Sequence, residues 1–215
     1  MHAKSQKYKN LALFDFDGTL YEYDSFTGFI FYSLSKRHIL KRGLITLPWI
    51  MAYYLKLYPA HRMRPKLYAS MFKESNAEEI LQLAQEYAAT LITKLDPALF
   101  NQLKQHQQLD HNVVLVSASV DLYLKPVCRY LNIDLICSEV EIKAGKMTGF
   151  YQTSDCSNEQ KKIRILEKYN LENYAEIYAY GNSDEDEEML SLATSSYMVG
   201  TDQVLPKIID CKKLA

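Results

Sequence analysis

Asp15 and Asp17 flank Phe16 at the end of a short apolar run, Leu11 to Phe14. In extended backbone, alternate residues face the same way, so both carboxylates can enter one cleft. Two carboxylates side by side repel, and such a pair needs a cation, a shared proton, or both. That requirement points to cation-assisted or acid–base chemistry. Gly18 permits close backbone approach, and Thr19 adds a hydroxyl. An isolated Asp-x-Asp reads more plainly as a polar turn capping a strand. Asp-x-Asp-Gly-Thr is rarer, arising by chance in on the order of one chain in a thousand of this length.

Two further apolar runs end in the same abrupt way. Asn112 to Val116 runs into Ser117-Ala118-Ser119, and Glu176 to Tyr180 runs into Gly181-Asn182-Ser183 and five acidic residues, Asp184 to Glu188. Three apolar strands that each end in small or acidic residues predict an α/β sheet, and ligands of open α/β sheets sit beyond the carboxyl ends of the strands. Acids favour a helix N-terminus, so most of the run from Asp184 to Glu188 reads as solvated.

These strands must be held by elements that the pattern also marks. Glu78 to Leu95 carries Ile80, Leu81, Ala84, Tyr87, Ala88 and Leu91 at helical spacing. Asp96-Pro97 opens a helix that ends before His111. Phe26 to Lys41 and Pro48 to Leu57 read as helices rich in aromatic residues. Val120 to Leu131 reads as a helix despite Pro126, followed by a strand at Ile133 to Ile136. Val140 to Tyr151 reads as a hairpin around Ala144-Gly145, and Ser196 to Val199 as an edge strand. Ser157 and Gln160, at capping-box spacing, open a helix running to Asn170.

Composition bounds the function classes. At 215 residues, 48% apolar and 24% charged, the chain is long enough to bury a core, and wholesale disorder is excluded. A net charge of −1 argues against a nucleic-acid partner. Cys128, Cys137, Cys156 and Cys211 form no CxxC and no paired spacing, against a zinc ribbon or a disulfide framework. No leader is visible at the N-terminus, so a cytoplasmic location is expected. The longest apolar stretch, Leu44 to Leu55, is too short to span a bilayer, although it could lie on one.

Taken together, LFDFDGTL, VVLVSAS and YAYGNSDEDEEML resemble, in order, the first, second and fourth motifs of the haloacid dehalogenase superfamily of aspartate-nucleophile phosphatases. A helical insertion directly after the first motif is similar to the phosphoserine-phosphatase-like branch. The resemblance implies a Rossmann-like core with a mostly parallel sheet, residues 1–20 and 96–215, and an inserted helical cap of the C1 type, residues 21–95. It implies that Asp15 attacks phosphorus and forms an aspartyl-phosphate, while Asp17 acts as acid and then base. Mg²⁺ would be held by Asp15, Asp17 through its carbonyl, Asn182 and Asp186, and Ser117 would hold the phosphoryl group with Gly18, Thr19 and Ala118 nearby. Asn182 departs from the family pattern, which has an Asp there; an amide oxygen still binds Mg²⁺ but brings no charge. That departure also leaves room for a non-catalytic phosphate- or lipid-binding protein.

The motif lysine is Lys161 or Lys162. Counting from Cys156, as in related sequences, selects Lys161; the helix face, with Ile165, Leu166 and Tyr169 at +3, +4 and +7, selects Lys162. Asp24, nine residues after Asp15, matches an acidic substrate-binding position of that branch and equally suits a helix N-cap.

Within the cap, bulky apolar and aromatic residues alternate with Lys36, Arg37, Lys41, Arg42, Lys56, Arg62 and Arg64. Such a mixture suits peripheral contact with the anionic inner membrane surface; the bland alternative is that the aromatics pack on themselves and on the core. The cap segment is similar to that of bacterial phosphatidylglycerophosphatases of the C type. A phospholipid headgroup phosphate is the expected substrate, with a small soluble ester such as O-phosphoserine as the alternative.

Overall fold

The computed structural model describes residues 9–209. Cys211 and residues 1–8, the start of the segment read as carrying no leader, lie outside them.

Strand β1 (Lys9–Phe14) is followed by four helices, α1 (Ser25–Ser33), α2 (Lys36–Tyr54), α3 (Ala60–Phe72) and α4 (Ala77–Ile92). Then come α5 (Pro97–Gln108), β2 (Asn112–Val120), α6 (Asp121–Leu131), β3 (Asp134–Ser138) and the β4 (Val140–Lys143)–β5 (Lys146–Tyr151) hairpin. The chain closes with α7 (Glu159–Lys168), β6 (Tyr174–Gly181), α8 (Glu187–Leu190) and β7 (Ser195–Met198). Five strands form one sheet in the order β3-β2-β1-β6-β7, with every neighbouring pair parallel. This is the expected α/β architecture.

The order reverses about β1, whose residues beyond Lys9 are all buried. A crevice at such a switch point opens where the carboxyl ends of β1, β2 and β6 meet. The sheet is covered on both faces, which is why its central strands read as unbroken apolar runs. On one face Leu11, Leu13, Val114 and Val116 pack with Ile165 of α7 and Met189 of α8. On the other, Ala12, Phe14, Leu115 and Tyr180 join a core that continues into α1, α3, α4 and α6.

The segment between β1 and α5 leaves and returns at one neck. Asp96 N–H donates to the Leu20 carbonyl at 2.8 Å, and Tyr21 bridges Leu95. Within it α4 follows its periodicity, burying Ile80, Ala84, Tyr87, Ala88 and Leu91, although Leu81 turns to solvent. Other boundaries moved. The expected helix from Phe26 to Lys41 breaks at Leu34 and Ser35, both extended, because the Ser35 hydroxyl caps a new helix by accepting from His38 N–H. Pro48 lies inside α2 instead of opening a helix. Helix α3 starts after Pro59 with no side-chain cap, so nothing polar announces it.

The Ser157–Gln160 capping box does not form. Asn158, at φ 51°, is the cap residue of α7, and the Ser157 carbonyl accepts from Gln160 N–H. The hairpin turn is as expected, with Ala144 and Gly145 both at positive φ, as a two-residue turn between twisted strands requires.

The aromatic residues of the helical segment divide into two sets. Phe26, Phe29, Tyr68, Phe72 and Tyr87 are buried, and Phe29 lies 5.2 to 5.6 Å from the rings of Tyr123, Tyr87 and Phe72. Phe31, Trp49, Tyr53 and Tyr54 are exposed.

Candidate active site

Asp15 leaves β1 with its backbone N–H donated to the Tyr180 carbonyl of β6, which locks the first carboxylate to the neighbouring strand. Its Oδ1 accepts from Lys161 Nζ at 2.6 Å and its Oδ2 from the Thr19 hydroxyl at 3.0 Å. Gly18 turns the chain at φ 80°, and a Cβ there would lie 2.0 Å from the Asn182 side chain. Only glycine combines that backbone with that approach. Its N–H is taken by the Tyr21 carbonyl at 2.6 Å, so Gly18 contributes closeness and not a free donor.

Asp17 sits apart from Lys161. Its Oδ1 accepts from Ser25 N–H at 2.6 Å and its Oδ2 from the Ser119 hydroxyl at 2.5 Å. Burial pushes its pKa up, the nearby Asp24 charge adds to this, and the Ser119 and Ser25 hydrogen bonds oppose it. Burial likewise raises Asp15 to about 7 against the opposing pull of Lys161.

Lys161 and Lys162 part company. Lys161 is 2% exposed and its ammonium lies between Asp15 and Asp186, at 2.6 and 2.5 Å. Burial alone would push its pKa down; the two carboxylates outweigh this, and the net direction is up. Lys162, one residue on, points off the other side of α7 to Glu188 at 2.8 Å and lies outside the cleft. The face of α7 that packs on the sheet is not the one through Lys162: the helix buries only Lys161 and Ile165, so the inward stripe runs through residue 161.

Asp186 is the most heavily engaged acid. Oδ1 takes Lys161, while Oδ2 accepts from Asn182 N–H, Ser183 N–H and the Ser183 hydroxyl. Both oxygens accept hydrogen bonds, and through them Asp186 ties Lys161 to the Asn182–Ser183 loop. The Asn182 side chain reaches the Asp17 carbonyl and Asp186 Oδ2. Turned with its nitrogen there, it donates to both at 3.2 Å; turned the other way, three oxygens converge, an arrangement that calls for a cation. Among the described residues, no group of three or more His, Cys, Asp or Glu side chains is placed to hold a metal. The available donors are the Asp15 carboxylate, the Asp17 carbonyl, the Asn182 amide and Asp186 Oδ2, all hard oxygens of the kind that Mg²⁺ takes.

Ser117 and Ala118 at the end of β2, and Asp24 at the start of α1, line the same cavity of about 690 Å³. Asp24 also caps α1 through Thr27 N–H at 2.8 Å, so the N-cap reading and the cavity position hold together. Above the carboxylates the walls are apolar, with Phe26, Ile30, Ile39, Ile50, Met63 and Met71 among them. Arg64 of α3 ties this wall to the sheet side by paired bonds of 2.8 Å to Asp155, with Glu185 at 3.1 Å.

The sequence did not single out Ser119, and Arg64, grouped there with the cap cations that suit a membrane surface, is instead paired with Asp155 and Glu185. The signal for Ser119 was present, since it stands two residues after Ser117 and thus on the same side of an extended strand. For Arg64 there was none, because its partners are 91 and 121 residues away.

A family model described as haloacid dehalogenase-like hydrolase matches residues 12–191. A histidinol-phosphatase of Neisseria meningitidis serogroup C is 24% identical over 214 residues, covering 93% of this chain and 94% of that protein. Among solved structures, a protein of unknown function from Bordetella pertussis Tohama I aligns with a TM-score of 0.70 at 21% identity, over 87% of this chain and 88% of the other. A phosphoserine phosphatase held as a phospho-aspartyl intermediate analogue aligns at 0.60 and 21% identity, over 88% and 86%. The matched span runs from the first strand through the acidic loop that anchors Lys161, and the chain belongs to the haloacid dehalogenase-like hydrolase family.

Proposed function

We propose that the chain is a phosphoric monoester hydrolase whose substrate carries its phosphate on an apolar or lipid-linked alcohol. Its catalytic core is residues 1–20 and 96–215, and residues 21–95 are the cap that selects the leaving group. Asp15 attacks phosphorus, the bond to the ester oxygen breaks, and Asp17 gives that oxygen its proton. In the second half Asp17 takes a proton from water, the water oxygen attacks phosphorus, and Asp15 is released with phosphate. Burial and the Asp24 charge favour a protonated Asp17, the form that the first half needs. Lys161 orients Asp15 and favours its ionised form against the effect of burial, and Ser117 receives the phosphoryl oxygens. Asp15, the Asp17 carbonyl and Asn182, with Asp186, would hold Mg²⁺, which when bound would supply positive charge for the transferring phosphoryl group. The aspartyl-phosphate step finds support in the phosphoserine phosphatase of like fold that is described as a phospho-aspartyl intermediate analogue.

One observation carries this reading: two carboxylates, a buried ammonium and a serine hydroxyl open into one cavity whose upper walls are apolar. The deciding measurement is Mg²⁺-dependent phosphate release from phosphatidylglycerophosphate micelles, beside O-phosphoserine and histidinol phosphate. Preference for the micelles is expected. Glu22 and Asp24 also line the cavity and would suit the amine of a soluble ester. Preference for either soluble ester would therefore assign the apolar walls to packing.

Two variants probe the residues separately. Ser119→Ala removes a hydrogen bond that favours charged Asp17. The Asp17 pKa then rises, protonated Asp17 persists to higher pH, and the alkaline limb of kcat/KM moves up by about half a unit to one unit. An unmoved limb would remove Asp17 from the acid role. Asn182→Asp adds a charge at the cation site and should lower the Mg²⁺ concentration giving half-maximal activity by roughly tenfold. An unchanged requirement would mean that residue 182 does not touch the metal.

A further inference from the structure

Of its 19 residues, α2 buries only Thr46. One side of the helix, Ile39, Gly43, Ile50 and Tyr53, lines the cavity. Another turns Trp49 toward α3, where Lys66 Nζ lies 3.6 Å over its ring. The remaining side has no partner among the described residues. There Leu40, Leu44, Leu47 and Met51 recur at steps of four, three and four, a single stripe along a helix, each between 45% and 66% exposed, and Tyr54, 78% exposed, carries the stripe on to the cavity rim. Leu55 and Leu57 continue the patch past the helix end. Scattered surface leucines need no explanation, whereas a continuous apolar stripe marks an interaction face.

Charge identifies what covers it. From Ser25 to Lys73 the sequence holds nine Lys or Arg and no Asp or Glu, in a chain whose net charge is −1. Lys36, Arg37, Lys41, Lys56 and Arg62 are exposed, and none forms an ion pair among the described residues. We propose that α2 and the turn after it dock on an anionic lipid bilayer, with the helix axis along the surface, the stripe among the upper acyl segments and the cations at the headgroups. A second copy of the chain is the poorer occupant, since a two-fold interface would set this cationic face against itself. No helix of the described residues is long and apolar enough to cross a membrane, so α2 lies on the surface and does not span it.

The docking helix is also a cavity wall. A cavity of about 690 Å³ is sized for a headgroup or drug-sized ligand and not for two acyl chains. With α2 on the bilayer the headgroup phosphate can enter while the chains stay in lipid. In this the inference rests on the lipid-ester reading for what enters the cavity, while docking is measured by binding alone.

The test is flotation of the full chain with vesicles of mixed phosphatidylglycerol and phosphatidylcholine, against vesicles of phosphatidylcholine only. Binding to the anionic vesicles alone is expected, weakening as salt rises. The triple substitution Leu44→Gln, Leu47→Gln, Met51→Gln should weaken it by at least about tenfold while hydrolysis of a soluble aryl phosphate and the circular dichroism spectrum stay unchanged. Lys36→Glu, Arg37→Glu, Lys41→Glu reaches the same face through charge and should have the same effect, which decides the matter should the first variant misfold. Failure of the wild type to float with anionic vesicles overturns docking, as does equal flotation of both variants. A solution dimer that the triple substitution dissociates, without vesicle binding, would give the face to a second copy. Absent docking with intact aryl phosphatase activity would leave the chemistry standing, and docking by a protein that releases no phosphate would do the reverse.

Discussion

Asp15→Asn is expected to lower phosphate release by roughly 10⁴-fold or more while the protein stays folded. The amide cannot attack phosphorus, so the two-step route closes, and no other carboxylate takes the position. Asp17 is held by Ser25 and Ser119, and Asp186 has both oxygens committed. At low pH, where Asp15 is protonated, stability should change little, because an asparagine oxygen can still accept from Thr19 or Lys161. The pH dependence of stability supplies a check independent of activity. Burial raises the Asp15 pKa to about 7, above an unfolded value of about 3.9, so between those values the folded state binds more protons than the unfolded one. The wild type therefore loses stability from this group as pH rises through that window, and Asp15→Asn should lack that loss in thermal melts. Residual turnover within about a hundredfold of wild type would reject Asp15 as the nucleophile.

The three strand ends were legible because each strand is buried on both faces and must stop where polarity begins. Asp15 and Ser117 each stand one position beyond an unbroken apolar run, and Asn182 two, and the parallel order β2-β1-β6 brings those ends side by side. Choosing between Lys161 and Lys162 needed the rotation of α7 against the sheet. That rotation is fixed by Asn158 at positive φ and by the depth of Ile165, and neither is a periodic signal. The helical segment was hardest to delimit for a related reason. Helix α2 is held at only one buried residue, so its apolar positions follow no inward stripe, and its Pro48 read as a start. Ser35, a capping residue inside what looked like one helix, was the mark that would have divided α1 from α2.

The Lys161→Ala and Lys162→Ala pair should give one very large effect and one small one. Lys161 lies between two buried carboxylates at 2.6 and 2.5 Å, and its removal leaves Asp15 and Asp186 facing each other without a counter-charge. A loss of about 3 to 5 kcal/mol in stability is expected, together with near-complete loss of activity. Lys162 pairs with Glu188 where both side chains are more than a third exposed, so Lys162→Ala should cost under about 1 kcal/mol and leave turnover within a few-fold of wild type. Stability and catalysis are confounded in the first variant, and a compensated double separates them. Lys161→Gln with Asp186→Asn removes one positive and one negative charge together, leaving amides that can hydrogen-bond to each other and to the Ser183 and Asn182 N–H groups. That protein should recover most of the thermal stability. If it also recovers activity, Lys161 only balances charge in the fold. If it is stable and inactive, the ammonium beside Asp15 is needed where phosphorus is attacked, because only a cation there keeps the nucleophile ionised as a second negative charge approaches.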